Sequence, residues 1–297
     1  MTIAAGLKFE NGVLLCADSQ FSYGGVCKTP GHKLMSADLA PLQVQLGFAF
    51  AGDIPKSKTA MRNIINSCID AARDCGEGLT GEILFDAIEE AQQKTYQSVF
   101  KHPRYLGGDG PDYWLLICGW LKQEGVALFV TDEDSVTPVD QFDCKGTGDY
   151  LFRYLVQSIF KPDLEIQKAV VLATHALQEI KNYDPNVGFN SEFMIFDSTS
   201  NRFSGIAGYD IDHVERFGTV LRRSMYGLLY KMADLRESDE SIQKAKQLFQ
   251  DNLTNLRRSY SEDKKYRNQM MRLLEYLSQP GEKKITIQFK KSGEGTP

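Results

Sequence analysis

The chain has 297 residues, a formal net charge of −5, 42% hydrophobic residues and 25% charged residues, which are ordinary values for a globular protein in solution. Its apolar runs are far shorter than the roughly 18–20 residues that a membrane span needs. The composition excludes a collagen and a low-complexity chain, and the first residues lack the pattern of a secretory signal. We therefore expect a cytoplasmic protein that does not bind membranes.

The predicted elements follow one another as strands, two helices, strands, two helices and a closing hairpin. Strands are predicted at residues 2–8, 13–18, 43–50, 113–120, 126–131, a stretch ending near 145, 192–197 and 202–206. Helices are predicted at residues 56–75, from residue 80 onward, 150–160 and 164–183. Because the helices come in consecutive pairs, the order favours two antiparallel sheets between helical layers over a doubly wound parallel sheet. The sequence thus predicts an α+β protein.

Charge and composition change near residue 208. Residues 1–207 hold 17 basic and 26 acidic side chains, whereas residues 208–297 hold 17 basic and 13 acidic ones. The second part has apolar residues at helical spacing over 214–235 and 238–277, then a short alternating stretch at 284–291. We predict a domain of residues 2–207 and a mainly helical extension of residues 208–297 that serves packing or assembly. Acidic neighbours dilute its basic residues, so nucleic-acid binding is not expected.

Neither the cysteines nor the histidines have the spacing of a metal site. The six cysteines form no C-x-x-C pair, and the four histidines are widely scattered. A disulfide framework is not expected in a chain of this length without an export signal. Reduced, mostly buried thiols and no bound metal are the expectation.

Three polar residues near the start have a joint chemical meaning. Thr2 follows the initiator methionine, Asp18 closes an apolar strand, and Lys33 follows a glycine-rich loop. Removal of Met1 would free the α-amine of Thr2, whose ordinary pKa of about 7.7–8.0 suits a base near neutral pH. An amine beside a hydroxyl is one way to activate a weak nucleophile, and a nearby ammonium would lower the pKa of that amine. Taken singly, each residue also has an ordinary structural explanation.

Short motifs elsewhere support this interpretation by their order along the chain. They are Thr2–Phe9, Asn11-Gly12-Val13, Ala17-Asp18-Ser19, Gly31-His32-Lys33, residues 47–53, Gly146-Thr147-Gly148, and Asp184 with Gly188. Their order and spacing resemble those of proteasome β-type subunits, which are N-terminal nucleophile (Ntn) hydrolases. The resemblance covers roughly residues 2–207. It implies a four-layer αββα sandwich, to which residues 208–297 add a helical extension, and no metal or organic cofactor.

The resemblance assigns six residues to the catalytic site. Thr2 corresponds to the nucleophile, and the backbone N–H of Gly52 to a donor of the oxyanion hole, a group typically worth about 2.7–4 kcal/mol in the transition state. The other four are polar residues around the nucleophile: Asp18, Lys33, Thr147 in place of the usual serine, and Asp184.

Three residues depart from the family pattern or modify it. Val187 stands where the family has a serine three residues after the aspartate, which removes one hydroxyl. Asp53 follows Gly52 where a small residue is common, and its carboxylate would either point away or disfavour an oxyanion. Phe50 falls where the family lines its specificity pocket and would restrict it.

The resemblance implies a threonine endopeptidase that acts on polypeptides inside a ring or related homo-oligomer. A start at Met-Thr is similar to the simpler bacterial relatives, in which removal of methionine is the only processing step. The sequence does not specify an unfoldase partner. Two alternatives stay open: a catalytically silent structural subunit of the same fold, and an Ntn amidase that acts on a small molecule.

Overall fold

The computed structural model describes residues 2–23, 27–39, 42–100, 113–161, 163–198, 201–206 and 208–262. The part of the predicted helical stretch 238–277 that follows residue 262, and the predicted strand at 284–291, lie outside these residues. The strands in these ranges are β1 Ile3–Phe9, β2 Gly12–Asp18, β3 Gln20–Tyr23, β4 Cys27–Pro30, β5 Leu34–Leu39, β6 Val44–Gly52, β7 Tyr113–Leu121, β8 Gly125–Asp132, β9 Ser135–Pro138, β10 Phe142–Gly146, β11 Ser191–Asp197 and β12 Arg202–Ile206. The α-helices in the same ranges are α1 Ile54–Cys75, α2 Gly81–Phe100, α3 Asp149–Gln157, α4 Ile166–Tyr183, α5 Gly208–Ala233 and α6 Asp239–Glu262.

Two five-stranded sheets form the centre of the fold, and all their pairings are antiparallel. The first has the order β10-β1-β2-β11-β12 and the second the order β5-β6-β7-β8-β9. The strands β3 and β4 form a separate hairpin that leads from the first sheet to the second. The predicted pair of antiparallel sheets is thus present.

Three apolar clusters fix the order of the layers. One lies between the sheets, with Leu15 and Phe196 from the first sheet and Leu116 from the second. Another joins the outer face of the first sheet to α3 and α4, and a third joins the outer face of the second sheet to α1 and α2. The layers therefore run helices, sheet, sheet, helices, and the αββα sandwich is confirmed.

The strands absent from the sequence prediction are the short or exposed ones. The strands β3, β4 and β9 have four residues each, and most residues of β4 and β9 are exposed, so they lack the apolar alternation that reveals a strand. The strand β5 has six residues and is only half-buried. A glycine-rich segment hid β3 and β4, since glycine signals a turn more strongly than a strand.

The helices α5 and α6 pack on each other, and α5 also packs against α4 and β11. Polar bonds hold α5 in place: Lys181 of α4 binds Glu215 at 2.7 Å, and Arg222 forms an ion pair with Glu179. Glu215 also accepts a hydrogen bond of 2.6 Å from the hydroxyl of Ser191, the first residue of β11. In the described part of the chain, no helix combines the length and the apolar character that crossing a membrane requires.

Candidate active site

The register of the first hairpin brings the start of the chain to the end of β2. Ala4 pairs with Ala17, so the next residues outward, Ile3 and Asp18, stand opposite each other at the open end of the hairpin. Thr2 directly precedes β1 there and is 4% exposed, and Asp18 is completely buried. The tight turn at residues 10–12, which the sequence indicates by Asn-Gly, sets this register.

Asp18 is the most densely bonded residue of the site. Its Oδ1 accepts the hydroxyl of Thr2 and the backbone N–H of Ile3, the latter at 3.0 Å. Its Oδ2 accepts the backbone N–H groups of Gln20 and Gly188, both at 3.1 Å. Three fixed backbone donors and one hydroxyl thus hold a buried carboxylate in one orientation.

Lys33 comes to the same place from the segment between β4 and β5. Its side chain is 0% exposed, and its Nζ lies 2.7 Å from Asp18 Oδ1 and donates a second hydrogen bond to Thr2 Oγ1. The ring of Phe21 lies beneath the ammonium, with its centroid 5.4 Å from Nζ. Burial lowers the pKa of Lys33 below its ordinary value, and the negative charge of Asp18 opposes that shift. An ammonium held against a hydroxyl in this way stabilises an alkoxide on Thr2.

The end of β10 holds the backbone of Thr2. The N–H of Thr147 donates to the carbonyl oxygen of Thr2 at 3.0 Å, and Thr147 itself is exposed. Gly146, the residue before, has a φ of +119°, and a Cβ there would clash with the same carbonyl. Gly146 is therefore required both for its backbone angle and for the close approach of Thr2.

Gly52 ends β6, pairs with Tyr113 and has a φ of +94°. Among the described residues no hydrogen bond joins it to Thr2, so its assignment to an oxyanion hole stays a prediction. The carboxylate of Asp53 accepts the N–H of Lys56 at 3.0 Å and caps α1. It is thus turned into the helix start, the first of the two orientations that the sequence left open.

The segment after α4 closes the other side of Asp18. The carboxylate of Asp184 accepts hydrogen bonds from Asn186, through its backbone N–H at 2.8 Å and its amide at 3.0 Å. It shapes the turn that presents Gly188 to Asp18, and among the described residues it has no hydrogen bond to Thr2. Val187 is 3% exposed and packs in the apolar cluster under the first sheet, so this position offers Thr2 no hydroxyl.

Of the six predicted residues, the structure brings Thr2, Asp18 and Lys33 together through side chains, and Thr147 joins them through its backbone. Sequence reasoning missed Glu192, whose Oε2 accepts the backbone N–H of Lys33 at 2.9 Å. One signal for it existed: it is a charged residue near the start of a strand that is otherwise largely apolar.

The site contains side chains for acid–base and nucleophilic chemistry. Within the described ranges, no group of three or more histidine, cysteine, aspartate or glutamate residues is placed to hold a metal ion. The cysteines Cys16, Cys68, Cys118 and Cys144 are buried, and burial raises the pKa of the Cys68 and Cys144 thiols to about 12.

A comparison with protein-family models matches residues 2–196 to the model described as proteasome subunit. The chain belongs to the proteasome subunit family. Among curated relatives of this family, the proteasome subunit beta 2 of Pyrobaculum calidifontis is 25% identical over 201 residues, which are 67% of this chain and 90% of the relative. The proteasome subunit beta 2 of Korarchaeum cryptofilum is 24% identical over 215 residues, which are 69% of this chain and 96% of that one.

Solved structures agree with the family at the level of the fold. A mutant of Anbu from Hyphomicrobium sp. strain MC1 superposes with a TM-score of 0.63 at 15% identity, covering 77% of this chain and all of that one. Anbu from Yersinia bercovieri, titled an ancestral beta-subunit, gives a TM-score of 0.61 at 14% identity and covers 76% of this chain and 96% of its own. The proteasome β-like Ntn fold predicted from the motifs is thereby confirmed.

Proposed function

We propose that this proteasome-family chain is a threonine peptidase whose nucleophile is Thr2, exposed by removal of Met1. One observation carries the proposal: Thr2, Asp18 and Lys33 meet in a buried cluster in which Lys33 and Asp18 both bind the Thr2 hydroxyl. A threonine with only a structural role would not need a buried ion pair on its hydroxyl, because taking an ammonium and a carboxylate out of water costs free energy that their attraction does not always offset.

In the proposed reaction the α-amine of Thr2 accepts the hydroxyl proton, and Oγ1 attacks the carbonyl carbon of a peptide bond. The Lys33 ammonium stabilises the negative charge that develops on Oγ1, and Asp18 keeps that ammonium in place. The amine returns the proton to the leaving amino group, which gives an ester between Thr2 and the acyl part of the substrate. Water, deprotonated by the same amine, then hydrolyses the ester. Gly52 remains our candidate for binding the oxyanion.

The proposed enzyme acts in a homo-oligomer and on polypeptides. One similar solved structure is titled a helical assembly of the Anbu complex from Pseudomonas aeruginosa, at 13% identity and a TM-score of 0.60. The helical assembly belongs to that Anbu protein. Because this chain is a member of the proteasome subunit family, we propose that it assembles as well. We propose that the helices from residue 208 onward serve packing or assembly, and that the protein works in the cytoplasm.

Hydrolysis of fluorogenic peptides tests the proposal. Untagged protein is compared with Thr2→Ala, which removes the hydroxyl, and Thr2→Ser, which keeps it. We expect loss of hydrolysis to background for Thr2→Ala and retained activity for Thr2→Ser. Glu90→Gln, a substitution in the exposed ion pair of α2, is the matched surface control and is expected to match the unmodified protein.

The same experiment, repeated with small amides as substrates, separates the alternatives. A silent subunit would give no turnover of peptides or of small amides, although Met1 is removed. An amidase would hydrolyse small amides with dependence on Thr2 and leave peptides intact. Light scattering adds an independent criterion, since a monomer with an open site would favour the amidase.

A further inference from the structure

Glu192 binds the backbone of Lys33, the lysine of the candidate site. It lies near the start of β11, where it pairs with Ala17, the neighbour of Asp18 on β2. Its side chain is 18% exposed, and its two carboxylate oxygens contact different residues. Oε2 accepts the backbone N–H of Lys33 at 2.9 Å, and Oε1 lies 2.5 Å from Nδ1 of His32, whose side chain is 92% exposed.

This contact completes the fixation of Lys33. The carbonyl oxygen of Lys33 accepts the N–H of Phe50 at 3.2 Å, so β6 holds the residue on one side. Lys33 itself lies just before β5, which begins at Leu34. Its N–H donates to the side chain of Glu192 and not to a neighbouring strand. The backbone is thereby held at both polar groups, at the point from which the side chain reaches Asp18.

Glu192 also contributes charge. The charged or titratable groups that face Lys33 are Asp18 from β2, Glu192 from β11 and, once Met1 is removed, the α-amine of Thr2. Asp18 is engaged with several donors at once, and the negative charge of Glu192 adds a smaller effect that raises the pKa of Lys33. His32 lies on the outer side of Glu192, where its Nδ1 contacts Oε1 of the carboxylate.

We propose that Glu192 is a positioning residue of the site: it fixes the backbone of Lys33 and supplies a second negative charge that acts on the same residue. This inference rests on the proposed threonine peptidase function. It concerns a residue that touches neither substrate nor nucleophile, and its effect is exerted through Lys33.

Two substitutions separate the two parts of the proposal. Glu192→Gln keeps an acceptor for the Lys33 N–H and removes the charge, whereas Glu192→Ala removes both. For Glu192→Gln we expect KM within about twofold of the unmodified enzyme. The alkaline limb of the pH profile of kcat should move to lower pH, because the Lys33 ammonium loses its proton more easily without the second carboxylate. For Glu192→Ala we expect the same displacement and, in addition, a drop in kcat of about tenfold or more.

Two controls accompany them. Glu90→Gln removes a carboxylate from a distant exposed helix face and should leave the profile unchanged. His32→Ala removes only the outer partner of Glu192 and should leave the alkaline limb in place, since both carboxylates that face Lys33 remain. An alkaline limb that stays fixed in Glu192→Gln while kcat falls would overturn the electrostatic part and leave only a structural role.

A measurement that needs no activity tests the positioning part. Hydrogen exchange resolved to the Lys33 amide should be slow in the unmodified protein and in Glu192→Gln, and at least tenfold faster in Glu192→Ala. Equal protection in all three proteins would overturn the proposal even for an inactive chain. Absence of peptide hydrolysis by the unmodified protein, combined with the expected exchange pattern, would refute the peptidase function and leave Glu192 as the residue that fixes Lys33.

Discussion

Replacing Lys33 by methionine tests the buried cluster through protein stability. Methionine keeps the apolar length of the side chain but leaves Asp18 as a buried carboxylate without its cation. Removing one partner of a buried ion pair typically costs 3–5 kcal/mol. Three backbone N–H groups still bind Asp18, which compensates part of the lost charge interaction. We therefore expect the free energy of unfolding to fall by about 3 kcal/mol, the lower end of that range.

Urea unfolding followed by tryptophan fluorescence measures this loss, since Trp114 and Trp120 lie on β7 in the second sheet. Protein concentration is held fixed because association changes apparent stability. Lys168→Met is the matched control: its ion pair with Glu165 is exposed, and unfolding should stay close to that of the unmodified protein. A loss below about 1 kcal/mol for Lys33→Met, or a loss equal to that of Lys168→Met, would refute the reasoning.

Three further results are expected. Gly146→Ala should lower the melting temperature and abolish peptide hydrolysis, because the added Cβ displaces the carbonyl of Thr2; unchanged hydrolysis would contradict the proposed role of that contact. Alkylation at pH 8 should modify the exposed Cys27 in the native protein and the buried Cys68 only after unfolding. The free energy of unfolding should fall as pH rises above about 9, because the Cys68 thiol loses its proton there in the unfolded chain and keeps it up to about pH 12 in the folded one. Arg222→Leu should destabilise the protein less than Lys33→Met does, because the guanidinium is partly exposed, and a larger loss by the same urea assay would count against this ranking.

The layer order was predictable from the sequence because it follows from the sequence of long elements. The helices came in pairs and the long strands carried continuous apolar runs, so both signals depended on many residues at once. The short strands could not be found in the same way. In β4, which runs from Cys27 to Pro30, pairing with β3 decides the conformation, and that pairing leaves little trace in an exposed four-residue segment.

The part of the candidate site that lies within the first hairpin was predictable from the sequence. Thr2 and Asp18 are joined by a hairpin whose turn is visible in the sequence, so their proximity follows from the register. Lys33 has no such local link, because it arrives from the connection to the other sheet, and it was predicted from the joint chemistry of the three residues and from the family resemblance. The only sequence signal for Glu192 was its charge near the start of a largely apolar strand, and no local pattern indicates that it meets Lys33, 159 positions away along the chain.

The site also shows why a motif match does not give the role of a residue. Asp184 matches the family pattern, yet its carboxylate binds Asn186 and shapes a turn. That turn delivers the N–H of Gly188 to Asp18, so its contribution passes through the backbone. Sequence spacing gives the position of such a residue, and only the direction of its hydrogen bonds gives its function.

The intact mass of untagged protein before and after incubation with a peptide epoxyketone tests the central claim most directly. The probe reacts with a hydroxyl and a free α-amine on the same residue: the Oγ adds to the ketone, the amine opens the epoxide, and the adduct has the full mass of the probe. Our account predicts a protein that lacks Met1 and gains one probe, with Thr2→Ala unreactive. Retained Met1, or a processed protein that gains no mass, would contradict a threonine nucleophile at Thr2.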